Sequence, residues 1–125
     1  MPGRIKLPFA RGVRRKPGEM NKTEEAMAEH LKMMVKSGEV LAWWFEGITL
    51  RLAKATRYTP DFLVMLPDGT LECWEVKGHW EDDARVKIKV AAEHFPFTFK
   101  AFSPKPKRDG GGWKIETFGG DVDEC

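Results

Sequence analysis

The first regular pattern of hydrophobic and polar residues predicts an amphipathic helix near the N-terminus. Asn21 or Thr23 would begin this helix, because both residue types accept hydrogen bonds from the free N–H groups of a first turn. The helix is expected to end at Ser37-Gly38, since glycine readily adopts the left-handed C-cap conformation. Glu24 lies on the apolar stripe of this helix, whereas Glu25 lies on its solvated face. The apolar members of the stripe are Met27, Ala28, Leu31 and Val35.

Apolar runs and alternating residues predict strands in the middle of the chain and a second helix after them. Residues 40–45 and 48–52 are interpreted as a strand pair, or as one long bent strand with Gly47 at a bulge or turn. Residues 60–77 are predicted to form an antiparallel hairpin, because residues 67–70 have the chemistry of a tight turn. The other expected elements are a polar connection over 53–57, a helix over 83–94, a strand over 97–102 and an edge strand over 113–118. This order predicts an α/β fold with a central mixed sheet flanked by helices.

The charge distribution divides the chain into a basic arm (residues 1–20), a single domain (21–120) and an acidic tail (121–125). The overall formal charge is only +2, but the first 18 residues hold six basic residues and no acid. The rest of the chain holds 15 basic and 19 acidic residues, a net charge of −4. Basic arms commonly contact phosphate backbones, although a disordered, solubilising terminus explains the charge equally well. The candidate DNA-binding residues of the arm are Arg11, Arg14, Arg15 and Lys16.

Several classes of protein are excluded by what the sequence lacks. No apolar run approaches the roughly 20 residues needed to span a bilayer, so no membrane partner is expected. No apolar segment of signal-peptide type follows the basic N-terminus. Cys73 and Cys125 form neither a disulfide framework nor a metal knuckle, which favours a reducing cytoplasm.

The predicted hairpin carries an unusual set of polar residues at one end. Glu75 and Lys77 are two residues apart and therefore face the same side of the sheet, roughly opposite Asp61. Two carboxylates, with a main-chain carbonyl such as that of Val76, would suit Mg²⁺, and Glu24 is placed to add a third carboxylate. Lys77 could position an attacking water or stabilise developing charge. From the residues alone, an ordinary ion pair between Asp61 and Lys77, with Glu75 in solvent, is the simpler explanation.

These residues also match a family pattern. Pro60-Asp61, followed after thirteen residues by Glu75-Val76-Lys77, resembles PD-(D/E)XK, the signature of a large superfamily of metal-dependent nucleases. The resemblance covers about residues 21–102 and extends to small phage and prophage proteins that are compared with phage endonuclease I, a Holliday-junction resolvase. The segments that carry it are Asn21-Lys22-Thr23-Glu24, Tyr58-Thr59-Pro60-Asp61-Phe62, Glu75-Val76-Lys77-Gly78 and Asp83-Ala84-Arg85, followed by Lys87 and Lys89.

The resemblance implies a restriction-endonuclease-like αβββαβ core and hydrolysis of DNA phosphodiester bonds with Mg²⁺ or Mn²⁺. Asp61 and Glu75 would hold the metal ion, and Lys77 would be the catalytic lysine. Glu24 would be the acid contributed by the first helix. The implied substrate is branched or double-stranded DNA in phage replication or recombination, within the cytoplasm of a bacterial host. A non-catalytic nucleic-acid-binding or interaction protein on the same fold is the alternative, although the intact acids and lysine argue against it.

Two further expectations concern DNA contact and assembly. In the superfamily, the helix after the motif often contributes a basic residue near the active site, which makes Arg85, Lys87 and Lys89 candidates. Lys87 is the first choice because it follows the apolar stripe of that helix most closely, while a solvated helix face remains the alternative for each residue. A homodimer is expected because a small enzyme with one site has to cut two strands.

Overall fold

The computed structural model describes residues 18–78 and 82–119 of the 125-residue chain. The arm residues Arg11, Arg14, Arg15 and Lys16 and the tail 121–125 lie outside this range, so the predictions about them stay predictions. The helices are α1 (Lys22–Ser37) and α2 (Asp82–His94), with a short 3-10 turn at Lys107–Asp109. The strands are β1 (Ala42–Phe45), β2 (Leu50–Ala53), β3 (Thr56–Tyr58), β4 (Phe62–Met65), β5 (Leu71–Val76), β6 (Thr98–Pro104) and β7 (Trp113–Phe118).

Helix α1 begins and ends where its sequence predicts. Asn21 is the N-cap: its side chain accepts a hydrogen bond from the Glu24 N–H at 2.8 Å, and Glu24 Oε1 accepts one from the Asn21 N–H at 2.9 Å. This reciprocal capping box satisfies two N–H groups that no helical carbonyl can reach. Gly38 ends the helix at φ 85°, a conformation that costs glycine little. Three of the four predicted apolar positions are buried, but Val35 is 39% exposed and Met34 packs against the core instead.

The strands form a five-stranded mixed sheet in the order β1-β4-β5-β6-β7, which confirms the predicted α/β class. β4 and β5 form the predicted antiparallel hairpin, with Phe62 opposite Trp74. β5 and β6 run parallel, so α2 is the crossover helix that connects them. β7 pairs with β6 alone and is the predicted edge strand. Neither helix of the described residues is long and apolar enough to cross a membrane.

Both expectations for residues 40–45 and 48–52, a strand pair or one long bent strand, are wrong. β1 pairs with β4, whereas β2 pairs with β3 in a separate two-stranded sheet, the β2–β3 hairpin. The chain leaves the main sheet at Glu46, which has φ 53°, and at Gly47, where a Cβ would lie 2.9 Å from Trp44 Cβ. The expected polar connection over 53–57 is also partly wrong, because it contains the start of β3.

The main sheet has a hydrophobic cluster on each face. Helix α1 covers one face, against side chains of β4 and β5, and α2 with the β2–β3 hairpin covers the other. β5 contributes to both clusters by strand alternation: Trp74 and Val76 face α1, whereas Cys73 faces α2. Cys73 is 1% exposed, and burial raises the pKa of its thiol to about 12. Cys73 is therefore a small residue of the hydrophobic core.

Candidate active site

Asp61 and Glu75 meet at the open end of the β4–β5 hairpin. The register that places Phe62 opposite Trp74 puts these two acids opposite each other one residue further along. The Asp61 N–H donates to Glu75 Oε1 at 3.3 Å, and the Val76 N–H donates to Asp61 Oδ2 at 2.9 Å. The strand pairing therefore holds both carboxylates in place through main-chain donors.

Glu75 is the more buried of the two acids, and its carboxylate contacts several partners. It is only 6% exposed. Its Oε1 accepts a hydrogen bond from the Tyr58 hydroxyl at 2.7 Å, and its Oε2 lies 3.0 Å from Lys77 Nζ. The simpler explanation of the sequence paired Lys77 with Asp61 and left Glu75 in solvent. The structure instead pairs Lys77 with a buried Glu75, because both side chains project from the same face of one strand.

Tyr58 is a site residue that the sequence did not reveal. The chain has a single tyrosine, which lies three residues before Asp61. In the structure it ends β3, is 8% exposed, and directs its hydroxyl to Glu75. The available signal for its role was that the single tyrosine of the chain lies next to the motif. The β2–β3 hairpin, however, is what places its hydroxyl at the site.

The electrostatics of the site are dominated by two acids in a poorly solvated place. Burial raises the pKa of Asp61 well above its usual value, and the charge of Glu75 raises it further. The Val76 N–H and the Lys77 ammonium act in the opposite direction without overcoming these effects. Burial by itself would lower the pKa of Lys77, but the charges of Glu75 and Asp61 outweigh it, so its pKa is raised and the side chain stays cationic. Two carboxylates thus face one ammonium group, and the state in which both are ionised is disfavoured.

The first turn of α1 brings Glu24 toward this cluster. The charge of Glu24 is one of the smaller causes of the raised pKa of both Asp61 and Lys77. A Cβ at Gly78 would meet Thr23 Oγ1 at 3.8 Å, so this turn lies beside the end of β5. Glu24 is half-buried and caps the helix, whereas its neighbour Glu25 is exposed.

The acids of the site match the ligands that a small divalent cation requires. Mg²⁺ is usually held by one or two carboxylates together with waters and substrate phosphate oxygens. Within the described residues, Asp61 Oδ1 accepts no hydrogen bond, while Oδ2 is engaged by Val76. No three His, Cys, Asp or Glu side chains of residues 18–78 and 82–119 are grouped so that they could hold a metal ion alone. Within these residues Glu24 is therefore not grouped with Asp61 and Glu75, and the predicted metal ligands Asp61, Glu75, Glu24 and the Val76 carbonyl stay predictions.

The basic residues predicted on the second helix have different surroundings. Arg85 donates to Glu116 of β7 at 2.6 Å and so ties α2 to the edge of the sheet. Lys87 is half-buried and Lys89 is exposed. Arg85 is half-buried as well, so burial does not distinguish it from Lys87, and contact of all three residues with DNA stays a prediction.

A second buried acid, Glu72, lies on the α1 face of β5 and is separate from this site. The Trp74 indole N–H donates to Glu72 Oε1 at 2.8 Å, and Lys100 Nζ lies 3.2 Å from the same oxygen. One acid here meets one lysine, so the pair is formally neutral. The contrast shows that the excess of carboxylates over ammonium groups is a property of the Asp61–Glu75 pair.

Comparisons of the chain with protein-family models, with curated proteins and with solved structures give no match. The α/β class and the mixed sheet are properties of the structure itself. A functional assignment therefore rests on the residues of this chain and on the contacts that they make.

Proposed function

We propose that the chain is a Mg²⁺- or Mn²⁺-dependent endodeoxyribonuclease of the PD-(D/E)XK superfamily that hydrolyses DNA phosphodiester bonds. The observation that carries the proposal is the hydrogen-bonded pair of Asp61 and the buried Glu75, with Lys77 against Glu75. In an ordinary surface ion pair both side chains are exposed, whereas Glu75 is only 6% exposed. Buried acids with too little compensating charge are typical of sites that bind a cation or perform acid–base chemistry.

The order of elements supports the same superfamily. An acid-bearing helix (α1) precedes β1, the β4–β5 hairpin carries the motif, and α2 leads to β6. This order agrees with the restriction-endonuclease-like αβββαβ core that the sequence resembles. The β2–β3 hairpin is then an insertion between the first and second strands of that core, outside its main sheet.

Each residue of the site would have its own role in hydrolysis. Asp61 and Glu75 would hold the metal ion, which when bound lowers the pKa of a water molecule and offsets charge on phosphoryl oxygens. Lys77 stays cationic and has three N–H donors, of which one is directed to Glu75. Its other donors would orient the attacking water or stabilise charge that develops on the phosphate. Glu24 would add negative charge on the α1 side of the same centre.

The proposed substrate class is branched or junction DNA of phage replication or recombination, as in the proteins that the motif resembles. The proposed active form is a homodimer, because each chain supplies one site and a junction is resolved by cutting two strands. Arg85, Lys87, Lys89 and the basic arm are the proposed phosphate contacts. These contacts would position the backbone without reading its sequence.

Incubation of the full chain with a set of DNA substrates tests the proposal. Four-way, flapped, linear duplex and single-stranded DNA are each incubated with Mg²⁺, with Mn²⁺ or with EDTA. Cleavage is expected with either metal and not with EDTA, and it should be fastest on the four-way substrate. If no substrate gives a metal-dependent product, the proposed endonuclease activity is overturned. DNA binding without cleavage would favour the non-catalytic alternative.

Glu24→Gln is expected to reduce metal-dependent cleavage, whereas the matched change Glu25→Gln is not. Both variants remove one negative charge from the first turn of α1, but only the charge of Glu24 contributes to the raised pKa of Asp61 and Lys77. Glutamine can keep the capping box that Glu24 forms with Asn21, so the helix start should be preserved. Initial cleavage rates of the two variants, with circular dichroism as the check of folding, give the comparison. Equal rates would contradict a role for Glu24 in the site.

A further inference from the structure

The β2–β3 hairpin presents a basic surface beside the candidate active site. Arg51 and Arg57 are directly opposite each other in its register, and both are exposed. Lys54 is exposed in the turn, next to Ala55, whose φ of 63° marks a tight reversal of the chain. Residues 47–60 contain no acid, so the hairpin has a formal charge of +3. We name the surface formed by Arg51, Lys54 and Arg57 the basic hairpin face.

This surface is electrostatically unfavourable in the isolated protein. Like charges directly opposite each other on paired strands destabilise the pairing. Elsewhere in the described part of the chain, ion pairs join a basic residue to an acid, as in Lys32 with Glu29. Over the same residues, Arg51, Lys54 and Arg57 form no ion pair or hydrogen bond through their side chains. An arrangement of this kind is suited to a polyanionic partner.

The other face of the hairpin attaches it to the site. Leu50 and Tyr58 form the neighbouring register pair, are buried, and pack with the α2 face of the sheet. Tyr58 also donates its hydroxyl to Glu75. Thr49 and Thr59 extend the exposed face with a 2.7 Å hydrogen bond between their hydroxyls. The basic hairpin face is therefore held at a defined place relative to the acids.

We propose that the basic hairpin face binds the sugar–phosphate backbone of duplex DNA next to the phosphate that is cut. Arg57 and Asp61 are four residues apart, so their Cα atoms are separated by at most about 14 Å. With a phosphate about every 3.4 Å of axis on each strand, this distance corresponds to roughly four nucleotides. The identity of the ligand rests on the proposed nuclease function, but the binding surface itself is argued from the hairpin.

The double variant Arg51→Gln/Arg57→Gln tests this inference by DNA binding rather than by cleavage. Binding of a short fluorescein-labelled duplex is measured by anisotropy in EDTA, so that no cleavage occurs, over a series of salt concentrations. The affinity is expected to fall by at least about tenfold at low salt. The slope of log affinity against log salt should become shallower by about two, because each lost phosphate contact removes about 0.9. The variant should melt no lower than the wild type, because it removes a like-charge pair.

The variant Lys32→Gln/Lys36→Gln is the matched control. It changes the net charge by the same amount on exposed positions of α1, which covers the opposite face of the sheet. Its affinity and salt slope should stay close to those of the wild type. An equal loss of DNA affinity in both double variants would show a general charge effect and would overturn the inference that the basic hairpin face binds DNA.

The outcomes separate this inference from the proposed function. If the wild type cuts DNA with metal but the hairpin variant binds as the wild type does, only the hairpin inference is wrong. If the hairpin variant loses affinity but no metal-dependent cleavage is found, DNA binding by the basic hairpin face is supported and the proposed nuclease function is overturned. If the wild type fails to bind duplex DNA in EDTA at low salt, the hairpin inference is overturned.

Discussion

Replacing Asp61 by asparagine is expected to reduce metal-dependent cleavage strongly and to stabilise the folded protein in the same variant. Asparagine keeps an oxygen that can accept the Val76 N–H, which now donates to Asp61 Oδ2. It removes the negative charge that burial and Glu75 disfavour. The loss of a carboxylate that holds the metal should lower the cleavage rate about 10³-fold, since several kcal/mol of charge stabilisation are at stake.

The pH dependence of stability should change with the same substitution. The pKa of Asp61 is raised above its ordinary value of 3.8, so the folded state binds this proton more tightly than the unfolded state does. The resulting contribution to stability is present at low pH and is lost as the pH rises through the raised folded-state value. In Asp61→Asn this loss disappears. Urea unfolding at a series of pH values above 3.8 should therefore give a flatter profile for the variant than for the wild type.

Asp68→Asn is the matched control for this prediction. Asp68 lies in the turn of the same β4–β5 hairpin and accepts a hydrogen bond from the Thr70 N–H at 2.9 Å, which lowers its pKa. Its charged form is thus favoured by folding, and its contribution to stability is lost as the pH falls, which is the opposite sign. Cleavage should be unaffected in Asp68→Asn. Wild-type cleavage by Asp61→Asn, or a melting temperature below that of the wild type, would contradict the account of the acid pair.

The parts of the fold that could be predicted from the sequence are those specified by local interactions. Asn21 and Gly38 bound α1 through caps that depend on neighbouring residues only. The turn at residues 67–70 sets the register of the β4–β5 hairpin, and that register brings Asp61 opposite Glu75. The proximity of Asp61 and Glu75 could therefore be predicted from a turn and from strand alternation.

The parts that could not be predicted depend on contacts between distant segments. Alternation identifies a strand but does not identify its partner. It therefore allowed β1 and β2 to be a strand pair or one bent strand, although β1 pairs with β4. The burial of Glu75 results from packing of the β2–β3 hairpin, which brings Tyr58 over a residue 17 positions later. Without that packing, the pattern of the site looks like an exposed ion pair. Tyr58 is hence the residue whose role depends most on the tertiary structure.

Tyr58→Phe is expected to weaken binding of Mn²⁺ to the folded protein by about 10- to 100-fold, with a similar loss of cleavage. The Tyr58 hydroxyl donates to Glu75 Oε1 at 2.7 Å, and a phenylalanine at this position would keep the ring while leaving the buried oxygen with fewer donors. Removal of a hydrogen bond that orients a ligating carboxylate typically has an effect of this size on metal affinity or activity. The free energy of unfolding should also fall, by about 1–3 kcal/mol. Calorimetric titration with Mn²⁺ measures the affinity without DNA or turnover.

Ile88→Val separates this positioning role of Tyr58 from a loss of stability alone. Ile88 is 1% exposed in the same hydrophobic cluster, and its truncation should destabilise the protein by about 0.5–1.5 kcal/mol. Its side chain is apolar and makes no hydrogen bond to the acids, so Mn²⁺ affinity should stay at the wild-type value. Equal losses of affinity in the two variants would mean that metal binding follows general packing of the α2 face. Wild-type affinity in Tyr58→Phe would mean that main-chain donors and Lys77 suffice to hold Glu75 in its binding geometry.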